Sequence, residues 1–132
     1  MFLIDTNTCI YFLNGKYPSV RDGFLSVSPE NIKISAVVKA ELLLGACKSQ
    51  MKNRTVKKVE DFLAPFEIIG FTDEMASVYA EIRCDLERAG TKIGANDLFI
   101  AATAKYRKDV LVTHNVREFS RVKGLKVVDW VD

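Results

Sequence analysis

Short apolar runs recur along this chain, and each gives way to a longer stretch with helical spacing. That alternation restricts the fold more than any other feature, because strands alternating with helices build a mainly parallel sheet covered by helices. Phe2-Leu3-Ile4 reads as a buried strand that delivers Asp5 at its end. A short helix over Thr8–Leu13 should follow, stopped by Asn14-Gly15. Ser19 is the expected N-cap of a second helix reaching about Val27, and Ser28–Asn31 reads as a turn. Ile32–Ser35 is the second strand, and Ser35 can cap a helix over Val37–Ser49. Another helix spans Asn53–Ala64 and ends near Pro65, and Glu67–Phe71 is the third strand. Thr72 caps the clearest helix, where Met75, Val78, Tyr79, Ile82, Leu86 and Ala89 share one side and Gly90 ends it. Asn96–Tyr106 is a helix, Val110–Thr113 the fourth strand and Lys126–Trp130 the fifth.

The 132 residues suit one domain, 1–132, and show no repeat, linker or low-complexity tract. With 48% hydrophobic and 27% charged residues the composition is that of a globular protein. A formal charge of +2 neither demands nor excludes a nucleic-acid partner, so the placement of charge must decide. Cys9, Cys47 and Cys84 are too few and too widely spaced for a disulfide framework, and Cys9 and Cys47 read as small core hydrophobes. A charge at the fifth residue comes too early for a signal peptide, and no apolar run could span a bilayer. The expected location is the cytoplasm.

Most of the acids look like solvated charges. Glu74, Glu81 and Asp85 lie opposite the apolar stripe of their helix. Three others stand in apolar company. Glu41 has Val37, Val38, Leu44 and Gly45 as its helical neighbours, Asp97 shares a side with Ile100, Ala101 and Ala104, and Asp5 ends a buried strand. A carboxylate withdrawn from water costs several kcal/mol unless it is paired or bound to a metal. In open parallel sheets the functional crevice lies beyond the carboxyl ends of the strands, where Asp5, Glu41, Asp97 and Glu118 can all be brought. Taken singly, Asp97 could be a helix cap and Glu41 the partner of a buried arginine. Close carboxylates repel by on the order of 4 kcal/mol per pair at about 4 Å and an effective dielectric of about 20, so a shared proton or a cation is implied. Oxygen ligands without thiolate or imidazole select Mg²⁺, with Mn²⁺ as substitute. His114, the only histidine, reads as structural or surface-exposed.

Four segments resemble the PIN-domain nucleases. They are Met1–Asn7 (MFLIDTN), Ser35–Ala46 (SAVVKAELLLGA), Gly90–Ala104 (GTKIGANDLFIAATA) and Leu111–Leu125 (LVTHNVREFSRVKGL), the last being similar to the VapC branch, the toxins of bacterial toxin–antitoxin pairs. The resemblance covers essentially the whole chain. It implies an α/β/α sandwich with a five-stranded, mainly parallel sheet. It assigns Asp5, Glu41 and Asp97 to metal binding and catalysis, with Glu118 as a more variably placed fourth acid, and gives Thr6, Thr113 and Asn115 supporting polar roles. Other branches carry an Asp near Asn115, so here the fourth acid is Glu118 or is missing. The resemblance further implies a homodimer, a small DNA-binding antitoxin as inhibitor, and structured RNA as substrate, often tRNA and in several members the anticodon region of initiator tRNA.

The implied reaction is metal-dependent hydrolysis of an RNA phosphodiester. Arg117, Arg121 and Lys123, with Lys126, offer phosphate contacts beside Glu118, and Lys48, Lys52, Arg54, Lys57 and Lys58 form a second basic group. Tyr11 and Phe12 could stack on a base, although a core role suits them better. Two rival classes remain at this level. A phosphoacceptor signalling domain also gathers acids at a parallel sheet edge, but needs a lysine at a later strand end, where this chain has Thr113-His114. A module that binds RNA or an antitoxin without cutting would have no need of intact acids.

Overall fold

The computed structural model describes residues 1–132. Five strands, β1 (Phe2–Ile4), β2 (Ile32–Ser35), β3 (Glu67–Ile69), β4 (Val110–Val112) and β5 (Val127–Val128), form one sheet in the order β3-β2-β1-β4-β5. Every adjacent pair is parallel. Seven helices flank it: α1 (Thr6–Asn14), α2 (Pro18–Ser26), α3 (Ala36–Cys47), α4 (Lys52–Leu63), α5 (Asp73–Arg88), α6 (Ala95–Arg107) and α7 (Val116–Phe119). This is the expected α/β/α sandwich, and no helix is long and apolar enough to cross a membrane. β1 is central, paired through Phe2 with both Ile32 and Val110. Leu3, Ile4, Ile34, Leu111 and Val112 are fully buried, as strands covered on both faces must be.

α6 explains how the sheet edge is brought under the acids. Ile100, Ala101, Ala102 and Ala104 are wholly buried, and the small alanines let the helix lie close to its neighbours. Asp97 in its first turn is thereby fixed over the carboxyl end of the sheet.

Several local expectations shift. α2 starts at Pro18 with Tyr17 as N-cap, not at Ser19, because a proline's fixed φ and missing N–H suit the first helical position. Ser19 Oγ instead accepts the backbone N–H of Asp132 at 3.2 Å. α1 begins two residues before the expected Thr8, since Asp5 caps it. β3 and β5 are shorter than their apolar runs, and Glu118 lies in the short helix α7. Cys9 is buried as expected, whereas Cys47 is exposed at the end of α3. Ser35 caps α3 as expected, its Oγ accepting from Val38 N–H at 3.2 Å.

The C-terminal segment is held by an aromatic cluster. Trp130 packs against Phe2 and Phe24, with ring centroids 5.9 and 5.2 Å away. Gly23 of α2 lies directly beneath the indole, and a Cβ there would come within 2.5 Å of Trp130 Cδ2. Gly23→Ala should therefore cost about 1–3 kcal/mol through overpacking. Thermal melting checks this, and an unchanged Tm would show that the indole gives way freely.

Candidate metal centre

Asp5 follows β1 directly and is 5% exposed. Its Oδ1 accepts the Thr8 N–H at 2.9 Å, capping α1, and its Oδ2 accepts the Thr113 hydroxyl at 2.5 Å. Thr113 is fully buried at the end of β4, and its Oγ1 accepts the Asn115 N–H at 2.9 Å. The carboxylate plane is thus fixed by two neighbouring strand ends and a helix N-terminus, and each oxygen keeps a free lone pair for a ligand. Burial raises the Asp5 pKa, the Thr113 and Thr8 hydrogen bonds oppose the rise, and Asp129 adds to it.

Glu41 lies about a turn and a half into α3. The Thr6 hydroxyl, at the start of α1, donates to its Oε1 at 2.7 Å. Asp97 sits in the first turn of α6. Its carboxyl is pushed up to about 6, first by burial and then by the charges of Asp5, Glu118 and Glu41. All four predicted acids therefore act on one electrostatic site.

Their positions are not equivalent. Asp5, Glu41 and Asp97 line a crevice of about 190 Å³ together with Thr6, Asn7, Asn115 and Phe119. Glu118 stands outside that lining, on α7, where Asn115 Nδ2 donates to its Oε2. The sequence leaves the fourth position open between Glu118 and Asn115. In the fold Asn115 faces the crevice and restrains Glu118 at its rim. No three acids are closed into a ready coordination shell. What the crevice offers is a set of oxygen donors with excess negative charge, free of thiolate and imidazole. That chemistry fits a hard divalent cation better than zinc.

Three contributors went unread in the sequence. Asn7 lines the crevice, Thr8 supplies an N–H to Asp5, and Asp129 faces Asp5 electrostatically. Asp129 carries the signal that marks Asp5, an acid just after an apolar strand, but extending the fifth strand to Trp130 concealed it. His114 Nδ1 meets Asp129 Oδ2 at 2.9 Å and its ring packs beside Tyr11 and Tyr17, a surface structural role. Phe12 packs against Phe24 and Phe62, so it belongs to the core. Glu74, Glu81 and Asp85 are exposed, as solvated charges should be. Arg117 is exposed on α7, while Arg121 and Lys123 line a separate cavity.

Residues 2–125 match the PIN domain family. The chain is 38% identical over 129 residues to the tRNA(fMet)-specific endonuclease VapC of Shigella flexneri, covering 98% of this chain and 97% of that protein. It is 39% identical over 132 residues to the ribonuclease VapC2 of Rickettsia felis, covering 98% of each. Among solved structures, VapBC2 of Rickettsia felis bound to a promoter DNA fragment superposes with a TM-score of 0.91 at 37% identity, covering 98% of both chains. The DNA-bound VapBC of Salmonella typhimurium superposes with a TM-score of 0.92 at 36% identity, covering 98% of this chain and 97% of that one. Strand order, crevice and full-length kinship agree: the chain belongs to the PIN domain family, in its VapC branch.

Proposed function

We propose that this protein is a Mg²⁺-dependent endoribonuclease and the toxin of a toxin–antitoxin pair. The observation that carries the chemistry is the crevice itself, where Asp5, Glu41 and Asp97 line one small space with Asn115 and without thiolate or imidazole. Such a crevice is complementary to a cation. Asp5 and Asp97 are the residues that would hold Mg²⁺, with Glu41 and Glu118 completing the negative field. The bound ion supplies a water of lowered pKa and charge neutralisation at the phosphoryl oxygens. Thr113 and Thr8 orient Asp5, and Thr6 orients Glu41, so the Asp5 ligand and the Glu41 carboxylate beside it need no rearrangement. Glu41 in the lining, with Glu118 at the rim, would accept a proton or position the attacking water. Hydrolysis by water leaves a 5′-phosphate and a 3′-hydroxyl.

The kinship points to transfer RNA, and to initiator tRNA in particular, as the substrate, because relatives named for tRNA(fMet) match over the whole chain. It also supports an antitoxin as partner, since the solved relatives are DNA-bound VapBC complexes; that the toxin works as a homodimer is part of the same proposal. A groove of about 260 Å³ runs between α1, α3 and α4, lined by Ile10, Leu13, Leu42, Ala46 and Val59, and it shares Glu41 with the crevice. An amphipathic antitoxin helix seated there could send an arginine or lysine among the carboxylates and satisfy them with charge-assisted hydrogen bonds.

Incubation of purified protein with bulk tRNA and Mg²⁺, followed by end mapping, tests this reading. Discrete cuts bearing 5′-phosphates are expected. Ends carrying 2′,3′-cyclic phosphate would overturn the mechanism, and intact RNA would overturn the function.

A further inference from the structure

Away from the carboxylates, two adjoining cavities share Lys105. One, of about 510 Å³, is lined by Arg88, Lys105, Arg121 and Lys123. The other, of about 370 Å³, is lined by Lys105, Lys108 and Lys126. None of these six cations makes a salt bridge. The acids in the linings are Asp85 and Asp109, and Asp109 is already occupied by Arg107 at 2.7 Å. This face therefore presents a strong excess of uncompensated positive charge on a protein whose formal net charge is only +2.

Two backbone features keep the lysines there. Lys108 is the only residue other than glycine at positive φ, 61°, at the C-cap of α6. That conformation normally favours glycine, so the lysine side chain is kept at some cost in strain. Gly124, at φ 78°, passes beside the Lys105 stem, and a Cβ there would lie 3.5 Å from Lys105 Cε. The face is also tied to the crevice. Arg121 Nη1 donates to the Lys92 carbonyl at 3.5 Å, in the loop leading to Asp97, and Arg121 N–H bonds the Glu118 carbonyl at 3.1 Å.

We infer that this face is an RNA-docking surface that grips substrate phosphates several nucleotides from the cut. The inference rests on the ribonuclease reading above and adds the path of the bound strand. Lys105 stands eight residues beyond Asp97 on the same helix, roughly 12 Å along its axis at about 1.5 Å per residue. On the scale of a nucleic-acid strand, about 3.4 Å per nucleotide along the axis of a B-form duplex, that distance amounts to a few nucleotides. The surface holds RNA by its phosphates and contributes affinity, while base recognition is left to the crevice.

The test uses Lys105→Met with Lys108→Gly in the full-length protein. Methionine keeps the stem beside Gly124, and glycine relieves the positive φ, so the fold is retained and Tm is checked alongside. On bulk tRNA the apparent KM should rise about tenfold or more with kcat at saturation unchanged. The slope of log affinity against log salt should become shallower by about 1.4–1.8, since each lost phosphate contact is worth about 0.7–0.9. Arg21→Gln with Lys39→Gln removes the same charge from exposed positions outside both cavities, and should leave KM unmoved. Equal KM and salt slope for Lys105→Met/Lys108→Gly and the parent would overturn the inference, as would an equal loss in the control pair. If the parent cuts no RNA, the ribonuclease reading fails separately, and fluorescence anisotropy with labelled tRNA decides the face. Weaker binding only in the Lys105/Lys108 variant supports it, and equal binding overturns it.

Discussion

Asp97→Asn should lose RNA cleavage by on the order of 10³-fold or more while melting several degrees higher than the parent in EDTA. Both effects have one cause. The carboxyl that would ligate the metal is raised from 3.8 to about 6 because burial and the charges of Asp5, Glu118 and Glu41 disfavour its ionised form. The full shift corresponds to at most about 3 kcal/mol, and solvent screening of a partly exposed group reduces this to about 1–2 kcal/mol. Asparagine keeps the shape and removes that repulsion. Because the folded-state pKa lies above the unfolded one, the folded protein binds this proton more tightly. Stability in EDTA should consequently rise as pH falls from about 7 towards 4, and Asp97→Asn should flatten the slope. The raised pKa of Asp5 acts in the same direction, so some slope remains. Melting curves across this range decide the matter. A variant that melts lower than the parent at pH 7 would show that Asp97 is a structural cap, and wild-type cleavage would remove it from the mechanism.

Withdrawal of divalent metal should abolish cleavage outright, and Mg²⁺ or Mn²⁺ should restore it. A second readout does not depend on turnover. A ligand that binds only the folded state raises stability by RT ln(1 + [L]/Kd), about 2.7 kcal/mol at a hundredfold excess over Kd. Titration with Mg²⁺ should therefore raise the parent's Tm progressively. The rise should be much smaller in Asp97→Asn, which lacks a ligand, and in Thr113→Val, where the hydroxyl that fixes Asp5 Oδ2 is gone. Full cleavage in EDTA by rigorously purified protein would sink the metal assignment. Calcium or zinc shifting Tm while Mg²⁺ leaves it unchanged would show that the oxygen donors select a different ion.

The elements were legible where a local signal had no competitor. α5 is a long amphipathic helix whose buried Met75, Ile82 and Leu86 fall on the predicted stripe. Asp5, Glu41 and Asp97 stood out because a carboxylate among apolar neighbours needs a reason, and the fold gathers them around one crevice. Local signals mislead where two of them overlap. Ser19 resembled a cap, but Pro18 beside it set the helix start. Asp5 reads from its neighbours as the end of a strand, and in the fold it also caps α1. Asp129 was hidden in a strand that stops after Val128.

The sequence alone determined which residues carry charge into apolar surroundings, because that is a matter of spacing along each element. It also determined the parallel α/β architecture, since apolar strands alternating with helices leave few other solutions. Tertiary structure decided how the acids are divided. Thr113 lies 108 residues from Asp5, and Thr6 lies 35 residues from Glu41, so no local pattern reveals that these hydroxyls fix the two carboxylates. It placed Asn115 in the crevice and Glu118 at its rim, a distinction set by the turn of α7. It also brought Lys105 of α6 and Lys108 at its C-cap beside Arg121, Lys123 and Lys126, because charges far apart in the chain form a surface only once packing has fixed the distances between them.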